Sequence, residues 1–499
     1  MSETNKLSKG KKFLSIISGA FLGGFMWHIR GSGGFGSIWG LLAFGTMMTL
    51  FIFLFYGNRA NMKYELIPIG GLMAAFAVYS NGSVISMPGG ILISDAVFTG
   101  EETQRLTPMS QARGALIMCL AGFALICLLG IFFGTLFSKK EYKLWHYLIY
   151  VATFFGFALG SKATVSQIII KKLLPQVVTG FEEGLADRGL EYASAKAAYL
   201  ANFNDIHFAN DVPYGYPYYE TIEHISFFIA AIALILVALI VFRDKFTALF
   251  SLLVNLVGAV AFTVPDYFQI VNFETSFLSK LDIPWFLHKT SWGMWEYGIG
   301  FILGLGIAII IALLPNEYTS GKKFRSESMI ENKGIRFAYN FVMFTLAFAV
   351  GPGRALGCRI ADTLLYMGVV EDDDPYETIG IIVFSVLAGL FFLFKTKKNI
   401  IDKNLPVPFK MKTSEFAGVS LLIYGNYYFI LKAVTGDDES IYNLIMVMRA
   451  GMVTAKEIIF DQQFFLPIIM FISLIIFECI FEAVFRKQTG RRPFGKEKK

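Results

Sequence analysis

Residues 222–242 read IEHISFFIAAIALILVALIVF, and from Ile225 to Phe242 no charged side chain interrupts the run. A helix crossing the hydrocarbon core of a bilayer needs roughly 20 mostly apolar residues, so this stretch is long enough to span. Its titratable residues, Glu223 and His224, stand together at one end. The same reading carries outward along the chain in both directions. It predicts spans over 13–27, 37–56, 65–80, 114–138, 145–160, 222–242, 246–264, 295–314, 337–351, 377–394, 413–433 and 463–485. The expected fold is an all-α polytopic membrane protein of about twelve transmembrane helices in tandem hairpins.

The whole composition agrees with that expectation. Of 499 residues, 55% are hydrophobic and only 16% charged, with a mean hydropathy of +0.56; a water-soluble chain of this length does not carry such a balance. Soluble enzymes, disordered scaffolds and secreted disulfide frameworks are thereby excluded. Cys119, Cys127, Cys358 and Cys479 lie in or beside apolar runs without C-x-x-C spacing, so they read as packing residues and no metal site is expected.

Charge sorts by side. With the N-terminus inside, the pieces 1–12, 57–64, 139–144, 243–245, 315–336, 395–412 and 486–499 hold 29 of the 44 Lys and Arg. Counting charges within spans with their nearer face, the inner side carries a net of +17 and the outer side −11. This is the positive-inside pattern of a membrane protein with both termini cytoplasmic. The domain plan is a basic tail (1–12), one transmembrane domain (13–485) and a second basic tail (486–499), with a cell-membrane location expected.

The inner connections are short, whereas the outer loops 81–113, 161–221, 265–294, 352–376 and 434–462 are long, which places specific chemistry on the outer half. No G-x-x-x-x-G-K-[ST] motif occurs, so the chain is not expected to drive itself with ATP. No cofactor is called for, and no nucleic-acid partner. The expected partners are the lipid bilayer and a small anionic or lipid-linked substrate.

Helices expected to run outward share a short pattern of small residue, Phe, any residue and larger apolar residue. Examples are Gly24-Phe-Met-Trp27, Ala75-Phe-Ala-Val78, Gly156-Phe-Ala-Leu159 and Ala347-Phe-Ala-Val350. Breakers or polar residues follow each, as Gly-broken helices do around transporter binding sites. Three inward helices are expected to begin with an aromatic-Glu pair, Tyr219-Glu220, Trp295-Glu296 and Tyr376-Glu377. A carboxylate in the first turn favours the positive end of the helix dipole by about 0.3–1 kcal/mol.

The segment Trp27-His-Ile-Arg-Gly-Ser-Gly-Gly-Phe-Gly36 matches G-x-G-x-x-G literally, yet it lacks the βαβ setting of a dinucleotide site. Its glycines and Arg30 suit a phosphate or carboxylate instead, with His28 as an acid or base beside them. Arg354, Arg359 and Asp362 follow the broken helix at 348–353, and Lys162 follows the fifth span. If the outer ends converge, His28, Arg30, Lys162, Arg354, Arg359 and Asp362 bind the substrate. Snorkelling to headgroups accounts for an isolated arginine, and pairing along one helix face accounts for Asp362 with Arg359. Glu478, deep in the last span, is a coupling carboxylate by its position, and Glu220, Glu296 and Glu377 are coupling or helix-start acids.

Three functions fit this pattern. The first is a gradient-driven secondary transporter for an anionic or polar small molecule. The second is a membrane-embedded transferase using a lipid-phosphate-linked sugar or acyl donor at the outer face. The third is an assembly subunit.

Overall fold

A computed structural model describes residues 9–32, 37–56, 65–79, 111–187, 215–275, 291–314, 329–346, and a few positions beyond. The helices are α1 (Lys9–Ser32), α2 (Ser37–Tyr56), α3 (Leu66–Tyr79), α4 (Gln111–Leu125), α5 (Cys127–Phe137) and α6 (Leu144–Lys162). They continue as α7 (Val165–Leu173), α8 (Pro175–Asp187), α9 (Gly215–Leu236), α10 (Lys245–Thr275), α11 (Ser291–Leu313) and α12 (Lys333–Thr345). Among the described residues the sole strand pairing is a two-residue antiparallel ladder, Ser326 with Leu405 and Glu327 with Asn404.

Every expected window up to 337–351 contains one of these helices. Four segments are long and apolar enough to cross a membrane: Leu144–Lys162, Thr221–Val241, Lys245–Asp266 and Trp295–Leu313. A fifth forms if α4 and α5 are one span bent by 45°. The chain is accordingly a helical integral membrane protein. Windows 413–433 and 463–485 lie outside the described residues, as does most of 377–394. Of the latter, Ile379, Ile382, Val383, Val386, Leu387 and Leu390 are helical and exposed.

Several boundaries differ from the expected ones. The window 114–138 is two helices meeting at Ile126, without a proline. The apolar part of α10 was expected to stop before Pro265, but the helix runs through that proline to Thr275; a proline removes one backbone hydrogen bond and kinks a helix without having to end it. The chain after Lys162, expected as outer loop, forms α7 and α8 almost at once. The last turn of α9 widens into a π-helix over Val237–Val241.

Contacts gather the chain into two compact units. In the first (1–76, 132–144, 282–499), α1 lies along α11 at backbone contact, because Gly19 and Gly23 face Gly300 and Gly304. Small residues let membrane helices approach in this way. Gly45 and Gly70 bring α2 against α3 likewise. Thr46 and Thr49 donate to their own helix at Leu42 O (2.7 Å) and Gly45 O (2.6 Å), which satisfies hydroxyls that face no water.

In the second unit (77–131, 145–281), α4 crosses α10 at Gly122 and Gly258. Helix α6 packs along α9, with Phe154 stacked on Phe227 at 5.8 Å, and Tyr150 tilted against Phe242 just beyond the π-turn at 4.9 Å. The α7–α8 pair is amphipathic: Ile170, Leu174, Val177 and Phe181 pack on Tyr218, Ile222 and Ile225 of α9. Leu249, Leu252, Leu256, Val260 and Val264 form one exposed row on α10. Such a row is costly in water and needs no protein partner in lipid.

Candidate functional site

A buried polar cluster forms where α6, α7 and α9 meet. Lys162 is the last residue of α6, where a cation suits the negative end of the helix dipole. Its Nζ donates to Glu223 Oε1 at 2.6 Å, and the two side chains are only 4% and 13% exposed. The chain turns at Ala163 and Thr164, and α7 then returns polar residues to the same place. Ser166 Oγ lies 2.8 Å from Ser226 Oγ, Ser226 Oγ donates to Ile222 O, and Gln167 Nε2 donates to Lys162 O at 3.3 Å. Ser161 Oγ donates to Phe157 O at 2.6 Å.

Glu223 and Ser226 are three residues apart on α9, so one face of that helix meets both α6 and α7. At this depth the ion pair sits in a medium far less polar than water, where each charge depends on the other. The arrangement is a matched cation and anion, with the Ser166–Ser226 contact and the Gln167 amide brought to the same place by α7.

His224 turns to a different face. It is 0% exposed, and among the described residues neither ring nitrogen has a hydrogen-bond partner. One turn further along α9, Phe228 meets Phe123 of α4 at 5.1 Å, which places the His224 face toward α4. On the adjoining α4–α10 contact Cys119 Sγ and Thr263 Oγ1 are 3.3 Å apart, and buried Asp266 follows on α10.

A buried imidazole without a partner costs about 1–3 kcal/mol. His224→Leu is therefore expected to raise the thermal midpoint of the purified protein or leave it unchanged, while reducing activity. A drop in midpoint measured by thermal denaturation would mark the ring as a structural element instead.

The four candidate spans share one property. Lys162 ends the first, Glu223 and His224 are third and fourth in the second, Asp266 ends the third and Glu296 is second in the fourth; all are buried or nearly so. Intramembrane ionisable groups are costly and mark functional positions by default.

The expected site residues fall into four groups. Lys162 is in the polar cluster just described, paired with Glu223. His28 and Arg30 lie on the last two turns of α1, which continues through Ser32; the expected glycine loop thus begins later than at Trp27. Arg354, Arg359, Asp362, Glu377 and Glu478 lie outside the described residues. Glu220 and Glu296 are each the sixth residue of their helices, which begin at Gly215 and Ser291, and neither helix has an acid in its first turn. The helix-start reading of these two acids is corrected accordingly, since the dipole effect fades within one turn.

Sequence reading singled out Lys162 but not its partner. In the sequence Glu223 stands out only as the neighbour of His224, and nothing there pairs Ser166 with Ser226. The spacing of Glu223 and Ser226 on one face was the available signal, but the partners lie 61 and 60 residues away. Comparison with protein-family models, curated proteins and solved structures gives no match.

Proposed function

We propose that the protein is a secondary transporter for an anionic or polar small molecule, with its binding site toward the outer half of the membrane. The observation that carries this reading is the buried Lys162–Glu223 pair, with the Ser166–Ser226 contact and Gln167 brought to the same place by α7. A substrate carboxylate or phosphate would replace Glu223 on the Lys162 ammonium. Glu223 would then take a proton or a cation, which supplies coupling to a gradient. Pair closed and pair opened are two states of one element, and a ligand that binds only the opened state shifts the balance between them.

The reading includes twelve spans in tandem hairpins, cytoplasmic termini and a cell-membrane location. The one-sided distribution of Lys and Arg supports that plan. Arg30 and, beyond the described residues, Arg354 and Arg359 are proposed to add cationic contacts on the substrate's route.

Reconstitution tests the proposal. Proteoliposomes exposed to a metabolite and lipid extract are expected to accumulate one unchanged compound, identified by mass spectrometry of lumen and bath. Uptake should be lost in Glu223→Gln and in Arg30→Ala/Arg354→Ala. A new covalent product without uptake would replace this reading with the transferase; neither uptake nor product would leave the assembly subunit.

A further inference from the structure

A second polar site lies in the other unit, at the start of α12. Arg336 is 1% exposed. Its Nε donates to Ile330 O and its Nη2 to Glu331 O, both at 2.7 Å. Those two bonds pin the chain that leads into the helix, and Asn332 caps the helix by accepting from Gly334 N and Ile335 N. The helix end is thus already satisfied. Nη1 is not: it is buried without a hydrogen-bond partner among the described residues.

One turn on, Asn340 is 0% exposed, and neither its Oδ1 nor its Nδ2 has a partner. Positions 336 and 340 share a face, while Ile335 and Val342 on the opposite face are exposed. Between them Tyr339 Oη donates to Glu65 O at 3.2 Å, which sets this part of α12 beside the start of α3.

A guanidinium N–H and an amide, both buried and both unsatisfied on one face, call for a partner. Their chemistry describes the ligand. Nη1 and Nδ2 donate, so they want an anionic oxygen; Oδ1 accepts, so it wants an O–H. Buried Glu65 on the neighbouring helix end disfavours a second full negative charge. In the expected twelve-span plan Arg336 immediately precedes the apolar window 337–351, at the level of phospholipid headgroups.

We propose that the Arg336–Asn340 face of α12 binds a singly charged phosphate group that also carries a hydroxyl. Phosphatidylglycerol and free dihydrogen phosphate both have this chemistry, and phosphatidylcholine lacks the hydroxyl. The site is independent of the transport reading and of the Lys162–Glu223 pair.

The test uses the full chain, purified in detergent and stripped of lipid, then titrated with phosphatidylglycerol, phosphatidylcholine or inorganic phosphate. Thermal unfolding and native mass spectrometry read the binding. Phosphatidylglycerol is expected to raise the thermal midpoint and to leave one retained molecule, and phosphatidylcholine is expected to do neither. Asn340→Leu should weaken that binding about tenfold, the worth of one hydrogen bond to a charged group. It should not lower the midpoint of the ligand-free protein, since it removes an unsatisfied amide.

Arg336→Gln should weaken binding further, but it also releases the Ile330 and Glu331 carbonyls, so Asn340→Leu is the deciding variant. Stabilisation by inorganic phosphate alone would keep the site and assign it to free phosphate; stabilisation by both would assign it to the shared group. Equal binding of the two lipids, unchanged affinity in Asn340→Leu, or no binding of any probe would overturn the proposal.

Discussion

Lys162→Met is expected to destabilise the protein by about 3–5 kcal/mol, the usual cost of removing one member of a buried ion pair. Glu223 loses the ammonium 2.6 Å from its carboxylate while staying largely sealed from solvent. The double variant Lys162→Met/Glu223→Leu removes both charges and places apolar side chains between α6 and α9. Replacing a buried pair by apolar residues is often neutral or stabilising, so the double variant should return to within about 1 kcal/mol of the parent. The proposed transport should be absent in both. A denaturant titration in mixed micelles, run as a double-mutant cycle, measures the coupling directly. A single variant as stable as the parent would show that water reaches the pair and would remove the physical basis for placing the substrate there.

The second large effect is expected at Gly300. A Cβ at this position would meet the carbonyl oxygen of Gly23 and the Cβ of Trp27, and one at Gly304 would meet the carbonyl oxygen of Gly19. These obstacles are backbone, or atoms fixed to it, so no rotamer change relieves them. Gly300→Ala should therefore separate α1 from α11 and cost about 1–3 kcal/mol or more, the range for overpacking. Gly300→Ala/Gly304→Ala should leave little folded protein after detergent extraction, as judged by size-exclusion chromatography. Gly156→Ala on α6 is the control. Nothing lies within 4 Å of a Cβ there, and the better helix propensity of alanine should be neutral or stabilise by up to about 1 kcal/mol. Equal behaviour of Gly156→Ala and Gly300→Ala would mean that α1 and α11 are not in backbone contact.

Both effects come from side-chain types that a reading of the chain weighs lightly. Gly300 and Gly304 appear as two of 47 glycines in an apolar run, with nothing local to separate a glycine at a crossing from one facing lipid, such as Gly156. Lys162 stands out because it ends an apolar segment. Glu223 sits at the start of another and could equally have been an interfacial acid. Their pairing depends on α6 and α9 packing antiparallel and on the turn at Ala163–Thr164 that brings α7 back toward Ser226. Hydropathy carries no information about which helices become neighbours, because lipid and protein are both apolar surroundings for a span.

The sequence by itself determined that this is a helical membrane protein and where its described apolar helices lie. Transfer of some 20 residues from water to hydrocarbon is a local sum over side chains, and backbone hydrogen bonding within each span is local too. Boundaries were less legible. Glu220 and Glu296 looked like first-turn residues, yet their helices begin five residues earlier, and Pro265 lies within a helix it was expected to limit. Only the tertiary structure decided that Lys162 faces Glu223, and that His224 and Asn340 stand unsatisfied in buried surroundings. Each of these depends on short distances between residues remote in the chain or on burial by other elements, and the physical terms involved fall off within a few ångströms.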